Sequence, residues 1–270
     1  MYNCALIQGM CYLSDVTGLR DRVALVTGAN GDIGRCLAGE YARAGAVVVI
    51  ASRDEAKLQA LADRLRSAGG RVLPLRCDVT AREDVAKLGT LIGERAGTVQ
   101  ILINNAGIAP AAGFLEMSDS VWDEVLKVNL TGAYNCCKTF LPGMIDSGWG
   151  RIINIASTAA KVGYPHVSAY TASKHGLLGL TRSLALETAK LRVTVNAICP
   201  GYVDTELTRE NARRMAQRTG KSIDDVLKLF AGSSPQKRLI APDEVAGLAL
   251  MLASEQAAGI TGQAINVDGG

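Results

Sequence analysis

The stretch Arg22-Val-Ala-Leu-Val-Thr27, running straight into Gly28-Ala-Asn-Gly-Asp-Ile-Gly34, decides how this chain is read. Residues 22–27 are mostly apolar and partly β-branched, the pattern of a buried strand. Glycines crowd the next seven residues, and Arg35 to Ala44 has helical character that Gly45 punctuates. Strand, glycine turn and helix in that order are the context a dinucleotide site demands. Glycine lets the backbone turn tightly and approach a pyrophosphate, and the helix N-terminus offers it free N–H groups. A glycine-rich turn alone is a weak signal, because any tight β–α turn can use glycine. The weight therefore falls on whether the rest of the chain keeps the same rhythm.

Strands are expected at Ala46–Ser52, Arg71–Cys77, Val99–Ile103, Arg151–Ser157, Val193–Cys199 and Ala264–Val267. Between them, Glu55–Ala68 reads as an amphipathic helix with Leu58, Leu61, Ala62 and Leu65 on one face, ended by Gly69-Gly70. Further helices are expected near 81–96, as one long helix over 119–138, from just before Tyr170 to about Lys190, and over Pro242–Ala253, where proline sits at the first helical position. Strands alternating with helices predict a parallel sheet with right-handed crossovers. The expected architecture is a single doubly wound α/β domain over residues 19–270, with seven parallel strands in order 3-2-1-4-5-6-7 and helices on both faces. Residues 1–18 fit no element and read as a flexible extension, with no basic segment followed by the long apolar run of a signal peptide.

The chain has 270 residues, of which 48% are hydrophobic, enough for one large core. A net charge of +3 is too weak to argue for nucleic acid or a membrane surface, and no apolar run reaches the ~20 residues of a membrane span. Seven cysteines, an odd number with no metal-type spacing, read as reduced core thiols of a cytoplasmic protein. The neighbours Cys136 and Cys137 invite a redox role, set against the usual inertness of buried thiols.

The chemistry sits between Ser157 and Lys174. Tyr170 and Lys174 are four apart, so on a helix they share a face. A free tyrosine, with a pKa of about 10, is a poor acid-base group at neutral pH, and an ammonium beside it favours the phenolate. Ser157, at the end of an expected strand, offers a hydroxyl for the same reacting oxygen. His166 and His175 raise a Ser-His-Asp hydrolase, but no Gly-x-Ser-x-Gly elbow surrounds Ser157.

The Ser-x12-Tyr-x3-Lys spacing resembles the active site of the short-chain dehydrogenase/reductase family. Other motifs resemble it in the right order: Thr27-Gly28…Gly34, Asn104-Asn-Ala-Gly107, Pro200-Gly-x-x-x-Thr205 and Asp268-Gly-Gly270. The resemblance covers about residues 19–270. It implies an enzyme that interconverts a ketone and a secondary alcohol with a nicotinamide dinucleotide. Tyr170 is then the acid-base and Lys174 lowers its pKa and holds the nicotinamide ribose. Ser157 binds the reacting oxygen, and Asn129 supports a proton relay through a local helix distortion, unless it is simply a buried, satisfied amide.

The resemblance also implies cofactor contacts from Gly28, Asn30, Gly31, Ile33 and Gly34, although the family's middle glycine is Asp32 here. That carboxylate caps the following helix or repels phosphate. Ser52 and Arg53 stand where NAD enzymes commonly carry an acid, which resembles members preferring NADP(H) over NAD(H). Arg53 is otherwise a plain surface charge, and Asp54 beside it weakens the phosphate reading. Asp78 and Val79 fall at the adenine, or Asp78 is an N-cap. Asn105, Ala106 and Gly107 lie beside the ribose, and Pro200, Gly201, Val203 and Thr205 beside the nicotinamide, with Tyr170 and Lys174 completing the set. No metal is expected.

Residues 206–235 interrupt the rhythm after a strand's carboxyl end, where substrate lids grow. Between 209 and 221 lie Arg209, Arg213, Arg214, Arg218 and Lys221 against Glu210 alone. This is a solvated face or an anion site for the phosphopantetheine of a 3-oxoacyl thioester. The alternatives are a sugar, polyol or general alcohol dehydrogenase and, more remotely, a nucleotide-binding sensor without turnover. A homotetramer or dimer is expected from the two long helices near 119–138 and 168–190.

Overall fold

The computed structural model describes residues 17–270. Residues 1–16, and with them Cys4, Cys11 and most of the expected flexible extension, lie outside the described residues. The core takes hold at Leu19, which is fully buried.

Seven parallel strands form one sheet, ordered β3-β2-β1-β4-β5-β6-β7 as the alternation predicts. They are β1 (Val23–Thr27), β2 (Val47–Ser52), β3 (Arg71–Arg76), β4 (Ile101–Asn104), β5 (Gly150–Ile155), β6 (Val193–Pro200) and β7 (Ala264–Val267). Helices α1 (Asp32–Arg43), α2 (Glu55–Ser67) and α9 (Pro242–Ala253) cover one face. Helices α3 (Arg82–Arg95), α5 (Gly132–Asp146) and α6 (Ser168–Thr188) cover the other.

The period of two along each strand builds both cores at once. Ala24 and Val26 of β1 join Val48 and Ile50 of β2 under α1, with Leu37, Ala38 and Tyr41. Val23, Leu25 and Val49 face the other way, against Val85, Leu88 and Ile92 of α3 and Phe140 and Met144 of α5. Cys136 and Cys137 are part of this second core. Burial pushes the Cys137 thiol up to about 12, so neither is poised for redox chemistry.

The expected single helix over 119–138 is longer and interrupted. It consists of α4 (Asp119–Leu126), a π-helical turn at Lys127–Thr131, and α5, which passes through Pro142 to Asp146. A proline costs about 3 kcal/mol inside a helix. Burial of Phe140 and Met144 on either side of it offsets that cost.

The 206–235 interruption is α7 (Glu206–Thr219), N-capped by the Thr205 hydroxyl, and α8 (Ile223–Gly232), N-capped by Ser222. Gly220, with φ of 70°, supplies the left-handed residue that ends α7. This pair sits at the carboxyl end of β6, beside the glycine turn that follows β1.

Candidate active site

The glycine turn is held by contacts that leave no room for side chains. Gly28 has φ of 62°, and a Cβ there would lie 2.7 Å from Ala106 Cα. At Gly34 it would lie 2.5 Å from the Gly28 carbonyl. Buried Thr27 donates to the Ile103 carbonyl and accepts from the N–H groups of Asn105 and Ala106. Asn105 donates in turn to the carbonyls of Thr27 and Gly28. These bonds lock the loop after β4 against the turn after β1.

Asp32 does not cap α1. Gly31 is the N-cap, and the Asp32 carboxylate turns aside. One oxygen pairs with Arg35, and the other accepts the Glu206 N–H of α7 at 2.7 Å. The charge near the expected phosphates is thus met by a guanidinium and a backbone donor.

At the end of β2, Asn30 donates to the Ser52 hydroxyl and, at 3.0 Å, to the Asp54 carbonyl. The Asp54 carboxylate is occupied: it accepts from Lys57 N at 3.0 Å as the N-cap of α2, and pairs with Lys57 Nζ at 3.3 Å. Arg53 lines the cleft and makes no ion pair among the described residues, although its charge reaches the Asp78 carboxylate. Asp78 does not cap α3, whose N-cap is Ala81; its carboxylate accepts from Thr80 N at 2.9 Å. Partial burial would raise the Asp78 pKa, but the bonds from Thr80 and the charges of Arg53 and Lys127 hold it below the ordinary carboxylate range.

These groups line a cleft of about 920 Å³. Of the expected cofactor residues it brings together Gly28, Asn30, Gly31, Ile33, Gly34, Ser52, Arg53, Asp78, Val79, Asn105, Ala106, Gly107 and Thr205. Pro200, Gly201 and Val203 lie outside its lining, at the end of β6, where Val203 is buried and bridges Ile240. Sequence reasoning missed Arg35, Lys57, Ile108 and Glu206, all in the lining. The residues present fit a dinucleotide: two glycines that a Cβ would block, an unpaired cation at the ribose end, and an Asn30 side-chain oxygen buried without a partner.

Ser157, Tyr170 and Lys174 lie outside the cleft lining, but Gly107 of that lining approaches them: a Cβ there would lie 3.6 Å from Lys174 Nζ. Lys174 is 4% exposed, and its ammonium donates to the Ile155 carbonyl at 2.7 Å. It lies 5.6 Å from the centroid of the Tyr170 ring. Burial lowers the Lys174 pKa to about 8. Burial raises that of Tyr170, and a hydrogen bond with Ser157 pulls against it. The expectation that Lys174 draws the Tyr170 pKa down is therefore not met in this arrangement. Desolvation outweighs it, and the ammonium is turned to a carbonyl.

Asn129 is buried inside the π-helical turn, with its amide bonded at both ends. Its oxygen accepts from Ile108 N, and its nitrogen donates to the Ile108 carbonyl and the Ser173 hydroxyl. The satisfied amide and the helix distortion thus occur together at this residue. Ser173 donates onward to the Tyr170 carbonyl.

Two further phenols, Tyr164 and Tyr202, lie close enough to oppose ionisation of Tyr170. Tyr164 donates to Thr158, and Tyr202 stacks on Phe230 of α8 with ring centroids 4.3 Å apart. Neither had a motif to announce it. His166 meets Arg218 at 3.4 Å and His175 meets the Thr171 carbonyl, so no Ser157–His pair exists among the described residues.

The basic run on α7 is largely neutralised. Arg209 pairs with Asp204 at 2.5 Å, Arg213 with Glu206 at 2.7 Å, and Arg214 with Glu210. Two of these partners, Asp204 and Glu206, stand just ahead of the run in sequence. Arg218 and Lys221 keep no carboxylate partner among the described residues. Those residues also contain no cluster of metal-ligating side chains and no helix long and apolar enough to cross a membrane.

Comparison with known proteins agrees with this geometry. The family model described as short chain dehydrogenase matches residues 22–216. A putative ketoacyl reductase of Streptomyces coelicolor (strain ATCC BAA-471 / A3(2) / M145) is 38% identical, over 92% of this chain and 96% of its own. A D-beta-hydroxybutyrate dehydrogenase of Rhizobium meliloti (strain 1021) is 37% identical, over 92% and 98%. The crystal structure of a single-residue variant of actinorhodin polyketide ketoreductase with NADPH superposes with a TM-score of 0.90 at 37% identity, over 92% of this chain and 96% of that one. With the strand order, the glycine turn and the Ser157–Tyr170–Lys174 cluster, these matches identify the chain as an oxidoreductase that belongs to the short-chain dehydrogenase/reductase family.

Proposed function

We propose that this oxidoreductase interconverts a 3-oxoacyl thioester and the corresponding hydroxyacyl thioester, with NADP(H) favoured over NAD(H). The observation that carries the reaction is buried Lys174 beside half-buried Tyr170, which is in contact with Ser157, next to Gly107 of the cleft lining. Gly28, Asn30, Gly31, Ile33 and Gly34 hold the pyrophosphate, Asp78 and Val79 the adenine end, and Asn105, Ala106 and Gly107 the ribose. Pro200, Gly201, Val203 and Thr205 flank the nicotinamide. When bound, the nicotinamide supplies or accepts the hydride.

Ser157 holds the substrate oxygen, and Tyr170 gives its proton to that oxygen in reduction or takes it in oxidation. With its raised pKa, Tyr170 is the protonated acid near neutral pH. Lys174 binds the nicotinamide ribose and keeps a positive charge beside the phenol below a pH of about 8. Asn129 acts through position: both its amide N–H groups and one acceptor site are held by Ile108 and Ser173, which fixes the π-helical turn where a relay water would sit.

The NADP(H) preference rests on the unpaired Arg53 and on Asp54, whose carboxylate is spent capping α2. The thioester rests on the names of the relatives and on the mouth. Phe114 and Leu115 are 70% and 96% exposed on the loop after β4, and Arg218 and Lys221 are exposed without a carboxylate partner among the described residues, Arg218 meeting His166. A general secondary-alcohol dehydrogenase is the competing reading, favoured by the ion pairs that neutralise most of α7. A panel of 3-oxoacyl thioesters and small uncharged ketones, followed by NADPH consumption, separates the two. Equal kcat/KM across the panel overturns the thioester. We also assign residues 206–235 as the lid, the cytoplasm as the location, and a homodimer or homotetramer as the assembly. Leu186 on α6 is 81% exposed and, with Tyr134 and Ile145 on α5, supports a further contact between copies.

A further inference from the structure

We propose that Asp32 is a positioning residue that clasps the lid helix to the glycine turn across the mouth of the cofactor cleft. It rests on the dinucleotide reading of that cleft. Asp32 stands where the family pattern has glycine, so a carboxylate has been placed beside the expected phosphates. Taken alone, that charge repels a pyrophosphate. The structure shows where it goes instead. Its Oδ2 accepts the Glu206 N–H at 2.7 Å, between residues 174 apart in sequence. Its other oxygen pairs with Arg35, and Arg35 donates to the Asn30 carbonyl at 2.7 Å.

The two ends of this chain of bonds belong to two chain segments that both line the cleft. Asn30 and Asp32 belong to the wall formed by the turn after β1. Thr205 and Glu206 belong to the wall formed by the segment after β6. Glu206 N is one of the first free donors of α7, which a carboxylate satisfies with a charge-assisted bond. The segment before α7 is tied to Ile240 by the Asp204 N–H at 2.8 Å, but α7 itself buries only Thr208 and Ala212, and the Asp32 bond is what ties its first turn to the glycine turn. Asp32 therefore couples the lid to the turn, and a dinucleotide lying between the walls leaves only when the clasp opens.

The clasp and plain repulsion predict opposite signs. Under the clasp, Asp32→Gly speeds NADPH dissociation about tenfold, as loss of one charge-assisted hydrogen bond implies. It raises KM for NADPH more than it lowers kcat, and it speeds amide hydrogen exchange at residues 204–210 in the NADPH-free protein. Asp32→Asn keeps an acceptor for Glu206 N and restores most of the wild-type dissociation rate and exchange protection. The substitution to glycine returns the family pattern, and circular dichroism checks that the variant is folded. Dissociation is read directly from NADPH fluorescence. Tighter NADPH binding in both variants, or exchange at 204–210 unchanged in Asp32→Gly, overturns the clasp. If the wild-type protein binds no NADPH, the dinucleotide reading itself fails, a result separate from either.

Discussion

The glycine turn and the segment proposed as the lid both line one cleft, yet they are built from different physics. The turn follows a strand whose five residues are all buried, and Thr27 and Asn105 tie it down with short bonds between neutral groups. Its tolerances are those of packed backbone. The lid holds itself by exposed ion pairs along α7 and by one aromatic stack, Tyr202 on Phe230. Exposed ion pairs contribute roughly 0–1 kcal/mol each and weaken with salt. If residues 206–235 act as the proposed lid, the turn is the wall that positions and the ion-paired helix the wall that is less firmly held.

The sharpest way to break this contrast is at the rigid end. Tyr170→Phe removes the proton carrier while leaving the ring, so turnover should fall about a hundredfold to ten-thousandfold. NADPH affinity, read by fluorescence titration, should stay within about twofold, since no phosphate contact is touched. A variant that keeps a tenth of wild-type kcat, a loss of only about 1.4 kcal/mol, assigns the proton to another group.

Gly34→Ala tests the turn itself. A Cβ 2.5 Å from the Gly28 carbonyl must displace backbone, and such overpacking typically costs about 1–3 kcal/mol. Chemical denaturation should show that loss, together with weaker NADPH binding. Arg213→Ala on the lid should cost less than about 1 kcal/mol in the same assay. Equal losses at both sites would erase the distinction between the walls.

Arg53→Ala probes the ribose end of the turn's wall. Loss of a bidentate contact to the 2′-phosphate should raise KM for NADPH about tenfold and leave that for NADH nearly unchanged. A wild-type enzyme that uses NADH as efficiently as NADPH overturns the preference.

The smallest effect belongs to the lid. KM for an acetoacetyl thioester should climb about two- to threefold as ionic strength passes through the physiological range, where charges beyond roughly 8 Å are screened. Replacing Arg218 and Lys221 by Ala should flatten that slope. Replacing Arg213 and Arg214 should not, because Glu206 and Glu210 already hold them. The reverse result would return the anion site to the middle of α7.

Much of the molecule was legible before any coordinates. The strand at Val23–Thr27, the stripe of Leu58, Leu61 and Ala62, and the proline opening α9 are local patterns, set by residues within a few positions of one another. The Ser157, Tyr170 and Lys174 proposed as catalytic were picked out by a spacing that resembles the family's, and the structure places Tyr170 and Lys174 on one helix with Ser157 beside Tyr170.

What only the tertiary structure decided were partners distant in sequence. Asp32 looked like a helix cap and became a bond to Glu206. Asp54 looked like a threat to phosphate and proved to be spent on α2. The five cations of the lid looked like an open field, and three are paired. Tyr202 and Tyr164 had no motif, yet both stand beside Tyr170. Periodicity and turn chemistry depend on neighbours along the chain, so sequence alone determined the elements, their order and the spacing of the reacting groups. Charge and hydrogen-bond partners depend on which surfaces the sheet brings together, and that became visible only once the strands had been laid side by side.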